Sequence, residues 1–169
     1  VTIGSVEKYI TDTAWAEGWV EPLHPGTATG QSVGIIGAGP AGLTAAEYLR
    51  VAGHAVHVYD RHDRAGGLLT YGIPGFKLEK EVVMRRIDRL ADGGIHFHLG
   101  FEVGGDATLD ALRQKHDALL IATGVYKARE INVPGNEAEG VIAALDFLVA
   151  SNRKGFGDAV PAFDDGRLN

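Results

Sequence analysis

The amino-acid sequence predicts an α/β fold, in which a mostly parallel β-sheet carries helices on both faces and follows a short helical arm. Two observations lead to this prediction. Apolar runs typical of buried strands alternate with segments of helical periodicity, which is the order that βαβ units produce. In addition, a glycine-rich turn directly follows the first apolar run and opens the first helix of the body.

Residues 1–30 are predicted to form a helical arm followed by a linker. Apolar residues recur at helical spacing through the first part of this segment, with Ser5 as the N-cap and Gly18 as the residue that ends the helix. A break into two short helices is the alternative. We expect Trp15 and Trp19 to attach the arm to the body. The rest of the segment is rich in Pro and Gly and lacks a hydrophobic pattern, which is typical of a linker.

The body is predicted to span residues 31–150, and residues 151–169 are predicted to form an irregular C-terminal linker. The last strand of the body is the most uniformly apolar, so we expect it to be central in the sheet. A long glycine-rich loop follows the second strand, and loops of this length usually carry function. The strands are predicted at 32–36, 55–59, 95–99 with a continuation at 101–103, and 118–122, and the helices at 41–52, 80–92, 109–115 and 141–150.

Composition limits the possible functions. The chain has 169 residues, the length of one ordinary domain, and a formal net charge of −6. This acidic balance argues against nucleic-acid binding, which favours a basic face. No run approaches the ~18 apolar residues of a membrane span and no leader opens the chain, so we predict a cytoplasmic protein that does not enter membranes. Without a single cysteine, this chain has no thiolate for catalysis or for an iron–sulfur cluster.

Residues 37–42 form a G-x-G-x-x-G motif, which we call the fingerprint. It lies between a predicted strand and a predicted helix, the context in which this motif binds dinucleotides. Gly37 permits the tight turn, Gly39 lets a pyrophosphate approach the backbone, and Gly42 allows close packing of helix and strand. Pro40 falls in the first helical turn, where its missing N–H costs nothing. The free amides and partial positive charge of the helix N-terminus would then face a diphosphate.

An acidic residue at the end of the second predicted strand narrows the choice of cofactor. Asp60 follows Gly42 by 18 residues, a position from which a carboxylate accepts hydrogen bonds from the adenosine ribose. The same carboxylate would repel a 2′-phosphate, so the site favours FAD or NAD over NADP. Arg61 weakens this exclusion slightly. The alternative is a solvated Asp in a charged run.

Two further features favour FAD over NAD. The loop at 66–75 contains four glycines, which suggests a backbone lying against an extended ligand. The last strand of the body ends in the small residues Ala122, Thr123 and Gly124, and ligands of open parallel sheets lie at the carboxyl ends of strands. A flexible surface loop and an ordinary strand-end turn are the alternatives.

Several segments together resemble the small (beta) subunit of bacterial NADPH-dependent glutamate synthases. The resemblance covers nearly the whole chain and implies a Rossmann-like FAD-binding domain. The segments that carry it are 6–15, 37–42, 59–61, 66–74, 77–78 and 122–125.

The resemblance also implies which residues of this chain contact FAD. Asp60 and Arg61 would meet the adenosine, Val103 would hold the adenine through its backbone, and Gly67 and Leu68 would lie along the ribityl and flavin side. The diphosphate would lie against the first turn of the fingerprint, and the cofactor would be covered by the residues after the last strand. These further contacts are assigned to Gly37, Gly39, Pro40, Ala41, Ala122, Thr123 and Gly124.

In that family, NADPH reduces FAD, and electrons pass through 4Fe–4S centres to a large subunit that makes glutamate. This sequence contains neither the cysteine clusters nor a second fingerprint for NADPH. It also opens at Val1 without Met and lacks the C-terminal segment that completes the FAD domain in the family. We therefore expect an incomplete flavoprotein that lacks the NADPH and iron–sulfur parts of its parent.

Two other hypotheses of different class stay open. The chain could be a non-catalytic nucleotide-binding or subunit-docking module, or an NAD-dependent dehydrogenase domain. No side chain is a convincing general acid or base, and no catalytic residue or metal ligand is assigned. His96 and His98 alternate on a predicted strand and are expected to be a solvent-facing pair.

Overall fold

A computed structural model of the chain describes residues 2–126, 133–138 and 140–167. Strands and helices alternate through the body, as the sequence predicts. The elements are α1 (Ile3–Ala16), β1 (Ser32–Ile36), α2 (Pro40–Val51), β2 (Ala55–Asp60), α3 (Leu68–Tyr71), α4 (Lys80–Asp92), β3 (Ile95–Leu99), α5 (Leu109–Lys115), β4 (Ala118–Ile121), α6 (Ala144–Gly155) and α7 (Pro161–Asp164).

The four strands form one parallel sheet in the order β3-β2-β1-β4. This arrangement confirms the predicted α/β class. The expectation that the last strand is central is wrong for the described residues, because β4 pairs with β1 alone and forms an edge of the sheet. Ile121 on this edge is 64% exposed. An apolar run shows that a strand suits burial, but it does not show which strands lie beside it.

Helices cover both faces of the sheet. On one face, Leu43 of α2 and Leu90 of α4 pack against a core that includes Ile35 and Val58. On the other face, Leu112 of α5 packs in a smaller cluster, whose buried members also include Ile36 and Tyr59. The alternation of side chains along β1 therefore divides the core between the two faces.

The N-terminal arm is one continuous helix, and it begins earlier than predicted. Thr2, not Ser5, is the N-cap, because its hydroxyl accepts a hydrogen bond from the Ser5 amide at 3.2 Å. Gly18 ends the helix as predicted, with a φ of +71°. None of the helices in the described residues is both long and apolar enough to cross a membrane.

One of the two tryptophans attaches the arm to the body. The guanidinium of Arg85 on α4 lies 5.0 Å from the Trp15 ring and donates a hydrogen bond to Asp12 at 2.8 Å. Trp19 is 67% exposed, so the expectation that it attaches the arm is wrong.

The C-terminal part of the chain is more ordered than predicted. The last helix of the body extends five residues beyond the predicted end at 150, and the tail contains the short helix α7, so the expectation of an irregular tail is wrong. The extra length of α6 is stabilised by contacts with residues far away in the sequence, among them a hydrogen bond from Asn152 to the carbonyl of Tyr71. The boundaries of the body at 31 and 150 stay predictions.

Two loops also differ from the sequence prediction. The glycine-rich loop at 61–78 contains the single helical turn α3. The expected strand continuation at 101–103 is absent from the described structure, where Val103 makes one isolated bridge with Ala107. The chain turns there instead, because the amide of Gly104 donates to the carbonyl of Ala107.

Candidate functional site

The candidate site lies where β1 ends and α2 begins, at the carboxyl edge of the parallel strands. Two of the three fingerprint glycines are required by the packing of the protein itself. A Cβ on Gly37 would lie 2.4 Å from the carbonyl oxygen of Ala122, and the φ of Gly37 is +114°. A Cβ on Gly42 would lie 1.9 Å from the carbonyl oxygen of Gly37. These positions perform the packing roles that the motif predicts for them.

Gly39 differs from the other two. Its φ is −76°, which any residue adopts, and no protein atom beyond its two neighbours in the chain lies within 4 Å of the position that a Cβ would take. Gly39 is the N-cap of α2, and Pro40 follows at the first helical position. The first-turn amides of a helix have no partners within the helix, so the N–H groups after Pro40 are available to an anion at this point.

The glycine-rich loop returns to the fingerprint. The amide of Gly66 donates a hydrogen bond to the carbonyl of Ala38 at 2.8 Å. A Cβ on Gly67, where φ is +55°, would lie 2.9 Å from the Cα of Gly39. We call residues 66 and 67 the glycine turn. Its backbone lies directly beside the fingerprint, and Leu68 follows it as the first residue of α3 with a partly exposed side chain.

Asp60 is neither free nor simply solvated. Its Oδ2 accepts a hydrogen bond from the amide of Ala38 at 2.7 Å, and its Oδ1 accepts from the amide and from the Nδ1 of His62 at 2.9 and 2.8 Å. The carboxylate therefore holds the fingerprint loop to the end of β2. A carboxylate has about four lone-pair positions, so three protein donors leave room for one further donor.

A cavity of about 290 Å³ opens beside Asp60. It brings together the predicted residues Gly37, Asp60, Arg61, Val103, Thr123 and Gly124.

The remaining predicted residues lie outside this cavity. Gly39 and Gly67 lie beside each other at the fingerprint, and Pro40 and Ala41 form the first turn of α2. Ala122 lies behind the fingerprint, where its amide donates to the carbonyl of Ile36. The site thus has two adjoining parts, the cavity and the surface formed by the fingerprint and the glycine turn.

The sequence did not predict several residues of the cavity wall. The guanidinium of Arg61 lies 4.8 Å from the centre of the Tyr126 ring, and the imidazole of His62 is tilted against the same ring. Burial, followed by the charge of Asp60, raises the pKa of Tyr126. Phe101 and Glu102 also line the cavity. In the sequence, the spacing of His62 two positions after Asp60 is the local pattern that could have indicated a contact between these two side chains.

Four histidines form a cluster away from this cavity. The Nδ1 of His57 lies 3.1 Å from the Nε2 of His98, and the His57 ring stacks on His96 and lies close to His116. The expectation of an isolated solvent-facing pair is therefore wrong for His98, which stacks on Tyr59, although His96 is exposed. In the described part of the chain, no group of three or more His, Asp or Glu side chains is arranged to hold a metal ion.

The body of the chain, which carries the sheet and the fingerprint, matches a known family. Residues 31–153 match the family model described as pyridine nucleotide-disulphide oxidoreductase. The chain belongs to this family. The match covers most of the chain, from the start of β1 into α6.

Individual relatives confirm the resemblance found in the sequence. The chain is 63% identical over 169 residues to the glutamate synthase [NADPH] small chain of Azospirillum brasilense, with all of this chain and 35% of the relative covered. It is 49% identical over 150 residues to the glutamate synthase [NADH] of Schizosaccharomyces pombe, covering 88% of this chain and 7% of the relative. The chain therefore spans about a third of the length of its small-chain relative.

Part of the chain resembles a solved structure. FprA of Mycobacterium tuberculosis, solved in complex with NADPH, superimposes with a TM-score of 0.65 at 26% identity. The match covers 72% of this chain and 29% of FprA. The matched part is thus less than a third of FprA.

Proposed function

We propose that the chain is the FAD-binding portion of a flavin-dependent oxidoreductase of the glutamate synthase small-subunit type. In the whole protein, electrons would pass from NADPH to FAD and through 4Fe–4S centres to a large subunit that makes glutamate. The chain itself would bind FAD, while the NADPH and iron–sulfur parts would lie elsewhere in that protein. This protein would act in the cytoplasm.

The observation that carries the proposal is the open space in front of Gly39. Packing explains the glycines at 37 and 42, but nothing in the described protein requires one at 39. A ligand that approaches the backbone at this point explains it, because a side chain there would occupy the position of the diphosphate. The adjacent N-terminus of α2 offers the amides and the partial positive charge that a diphosphate needs.

The two adjoining parts of the site fit the two ends of a dinucleotide. The cavity beside Asp60 and Arg61 would take the adenosine, with Val103 at the adenine and Thr123 and Gly124 covering the cofactor. The one free acceptor position of Asp60 suits a ribose hydroxyl.

At the fingerprint, the backbone of residues 37–41 would hold the diphosphate. The glycine turn and Leu68 would then lie along the ribityl and flavin side. Bound FAD would supply the redox chemistry, while the protein positions the cofactor and tunes it. Ala122 would support the fingerprint from behind.

The names of the relatives support the rest of the proposal. The Azospirillum brasilense relative is named a small chain, which implies a larger partner, and its name gives NADPH as the reductant. In Schizosaccharomyces pombe, the matching segment is 7% of one chain named glutamate synthase. A segment like this one thus occurs both as part of a small chain and as part of a single long chain.

A titration of the purified chain with FAD tests the proposal. We expect FAD to show quenched fluorescence and a changed visible absorption spectrum when it binds. We expect NAD to give no binding signal in calorimetry and no thermal stabilisation of the chain. Stabilisation by NAD without flavin binding would favour a dehydrogenase domain. A chain that binds neither cofactor but binds a large flavoprotein subunit would be a docking module, and the proposal would be wrong.

A further inference from the structure

We infer that Asn152, Arg153 and Asp158, which we call the α6 clamp, are positioning residues that hold the glycine turn against the fingerprint for the bound dinucleotide. The inference rests on the proposed function. It concerns residues outside the cavity, on α6 and on the turn that follows it. The argument depends on how the two flanks of the glycine turn are held.

The glycine turn forms one local unit with α3, because its carbonyls accept hydrogen bonds from the amides of Leu69, Thr70 and Tyr71. Its centre meets the fingerprint through one hydrogen bond, from the amide of Gly66 to the carbonyl of Ala38, and through the close approach of Gly67 to Gly39. Both glycines have positive φ, one of several backbone regions that glycine adopts at little cost, so backbone conformation alone does not fix the turn. The position of the turn is therefore set by the residues on either side of it.

The flank before the turn is held by charge. Arg64 donates to both oxygens of Asp158, at 2.8 and 2.7 Å, and its guanidinium lies 4.5 Å from the centre of the Phe156 ring. A bidentate pair of this kind fixes orientation as well as distance. The hydrogen bonds from Arg64 lower the pKa of Asp158, so the carboxylate is ionised at neutral pH.

A second arginine closes a ring of alternating charges. Arg153 donates to Asp158 at 3.2 Å and to Asp63 at 3.0 Å, and Asp63 also accepts from Arg64 at 2.8 Å. Two carboxylates and two guanidiniums therefore alternate between the flank and the end of α6. Such a network keeps its geometry better than a single exposed pair, which usually contributes little.

The flank after the turn is held by the same helix. The side-chain amide of Asn152 is buried and donates to the carbonyl of Tyr71, the last residue of α3, at 2.9 Å. The Tyr71 hydroxyl donates to Asp63, and Arg153 lies 5.0 Å from the centre of the Tyr71 ring. Both flanks of the glycine turn are thus fixed to α6 and to the turn that follows it, at residues that line neither the fingerprint nor the cavity.

The variant Asp158→Asn tests the clamp in the full 169-residue chain. It keeps the shape of the side chain and removes the charge that Arg64 and Arg153 share. We expect FAD to bind about tenfold more weakly and the amide of Gly66 to exchange hydrogen faster. At saturating FAD, the visible circular dichroism of the bound flavin should also change, a signal that a loss of overall stability alone would leave unaltered.

The matched control is Asp164→Asn. It removes the ion pair between Asp164 of α7 and Lys154 of α6, whose atoms lie 2.6 Å apart. This ion pair does not involve the glycine-rich loop. We expect the FAD affinity and Gly66 exchange of this variant to equal those of the wild type. Asp158→Glu, which restores the charge, should recover part of the affinity. If Asp158→Asn does not fold, Asn152→Ser takes its place in the same measurements, because it removes the hydrogen bonds of Asn152 to the carbonyls of Tyr71 and Leu148 and leaves the ion pairs of Asp158 in place.

The outcomes separate the clamp from the proposed function. A wild-type chain that binds no FAD overturns the proposed function and this inference with it. A wild-type chain that binds FAD, together with an Asp158→Asn variant that matches it in affinity, flavin dichroism and Gly66 exchange, overturns the clamp and leaves the proposed function intact.

Discussion

Gly39 and Gly67 come from separate loops, and their backbones pass so closely that a Cβ on Gly67 would lie 2.9 Å from the Cα of Gly39. On its other side, Gly39 faces open space. The fingerprint is therefore closed by protein on the side of the glycine turn and open on the side where a diphosphate would lie. A side chain at Gly39 is therefore expected to affect cofactor binding, whereas a side chain at Gly42 is expected to affect the stability of the fold.

The variant Gly39→Val should fold and lose FAD. A Cβ at this position meets no protein atom beyond its two neighbours in the chain, so we expect the free energy of unfolding to fall by about 1 kcal/mol or less. The same side chain would occupy the diphosphate position, so FAD binding should weaken by more than ~100-fold, about 2.7 kcal/mol. Denaturant unfolding and a fluorescence titration measure the two effects. Retention of wild-type FAD affinity would show that the open space is not the cofactor site.

Gly42→Ala should have the opposite result. One methyl group at this position would lie 1.9 Å from the carbonyl oxygen of Gly37, so α2 and β1 must separate. We expect destabilisation of about 3 kcal/mol, at the upper end of the range for overpacking. The melting temperature of the chain without FAD measures the effect. A variant as stable as the wild type would mean that the helix and strand pack less closely than the structure indicates.

Much of the fold could be predicted because its signals are local. The helix α4, the strand β3 and the helix α5 have the predicted bounds. Apolar periodicity marks these elements, and glycines mark the end of α4 and both ends of β3. The end of α6 was missed because it depends on the contact between Asn152 and Tyr71, which are far apart in the sequence. No local pattern carries that information.

The site shows the same division. The fingerprint and Asp60 were found because their spacing along the chain is itself the signal. Tyr126 and the histidine cluster were missed because they depend on which elements become neighbours. His57 and His96 meet only through the register of β2 and β3, in which they are paired. Sequence spacing alone could not distinguish this cluster from scattered surface residues.

Asp60→Asn should loosen the fingerprint even without a ligand. An asparagine has one acceptor oxygen, so either the amide of Ala38 or the donors of His62 lose their partner. We expect a loss of about 1–3 kcal/mol in the free energy of unfolding, the cost of an unsatisfied buried donor. Urea denaturation of the chain without FAD measures it. The exposed Asp92→Asn is the control, and equal stability of the two variants would contradict the role of Asp60 in holding the loop.

The histidine cluster should make the fold sensitive to acid. Burial, followed by the positive charges that His96, His116, His98 and Lys115 would bring near it, lowers the pKa of His57 to about 4. Burial also lowers the pKa values of His98 and His116. Between pH 6.5 and about 4 the unfolded chain therefore binds more protons than the folded chain, so stability is fully present above the upper limit and is lost as the pH falls.

The variant His57→Gln isolates this effect. In the wild type, the lowered pKa of His57 corresponds to as much as about 3 kcal/mol of stability lost across that pH window. We expect the variant to lose less stability over the same range, measured by urea denaturation at a series of pH values. His24→Gln, which removes an exposed histidine, should keep the wild-type slope, and carboxylate titration affects all three proteins alike. Parallel pH profiles for His57→Gln and the wild type would show that His57 is as easily protonated in the folded chain as in the unfolded chain.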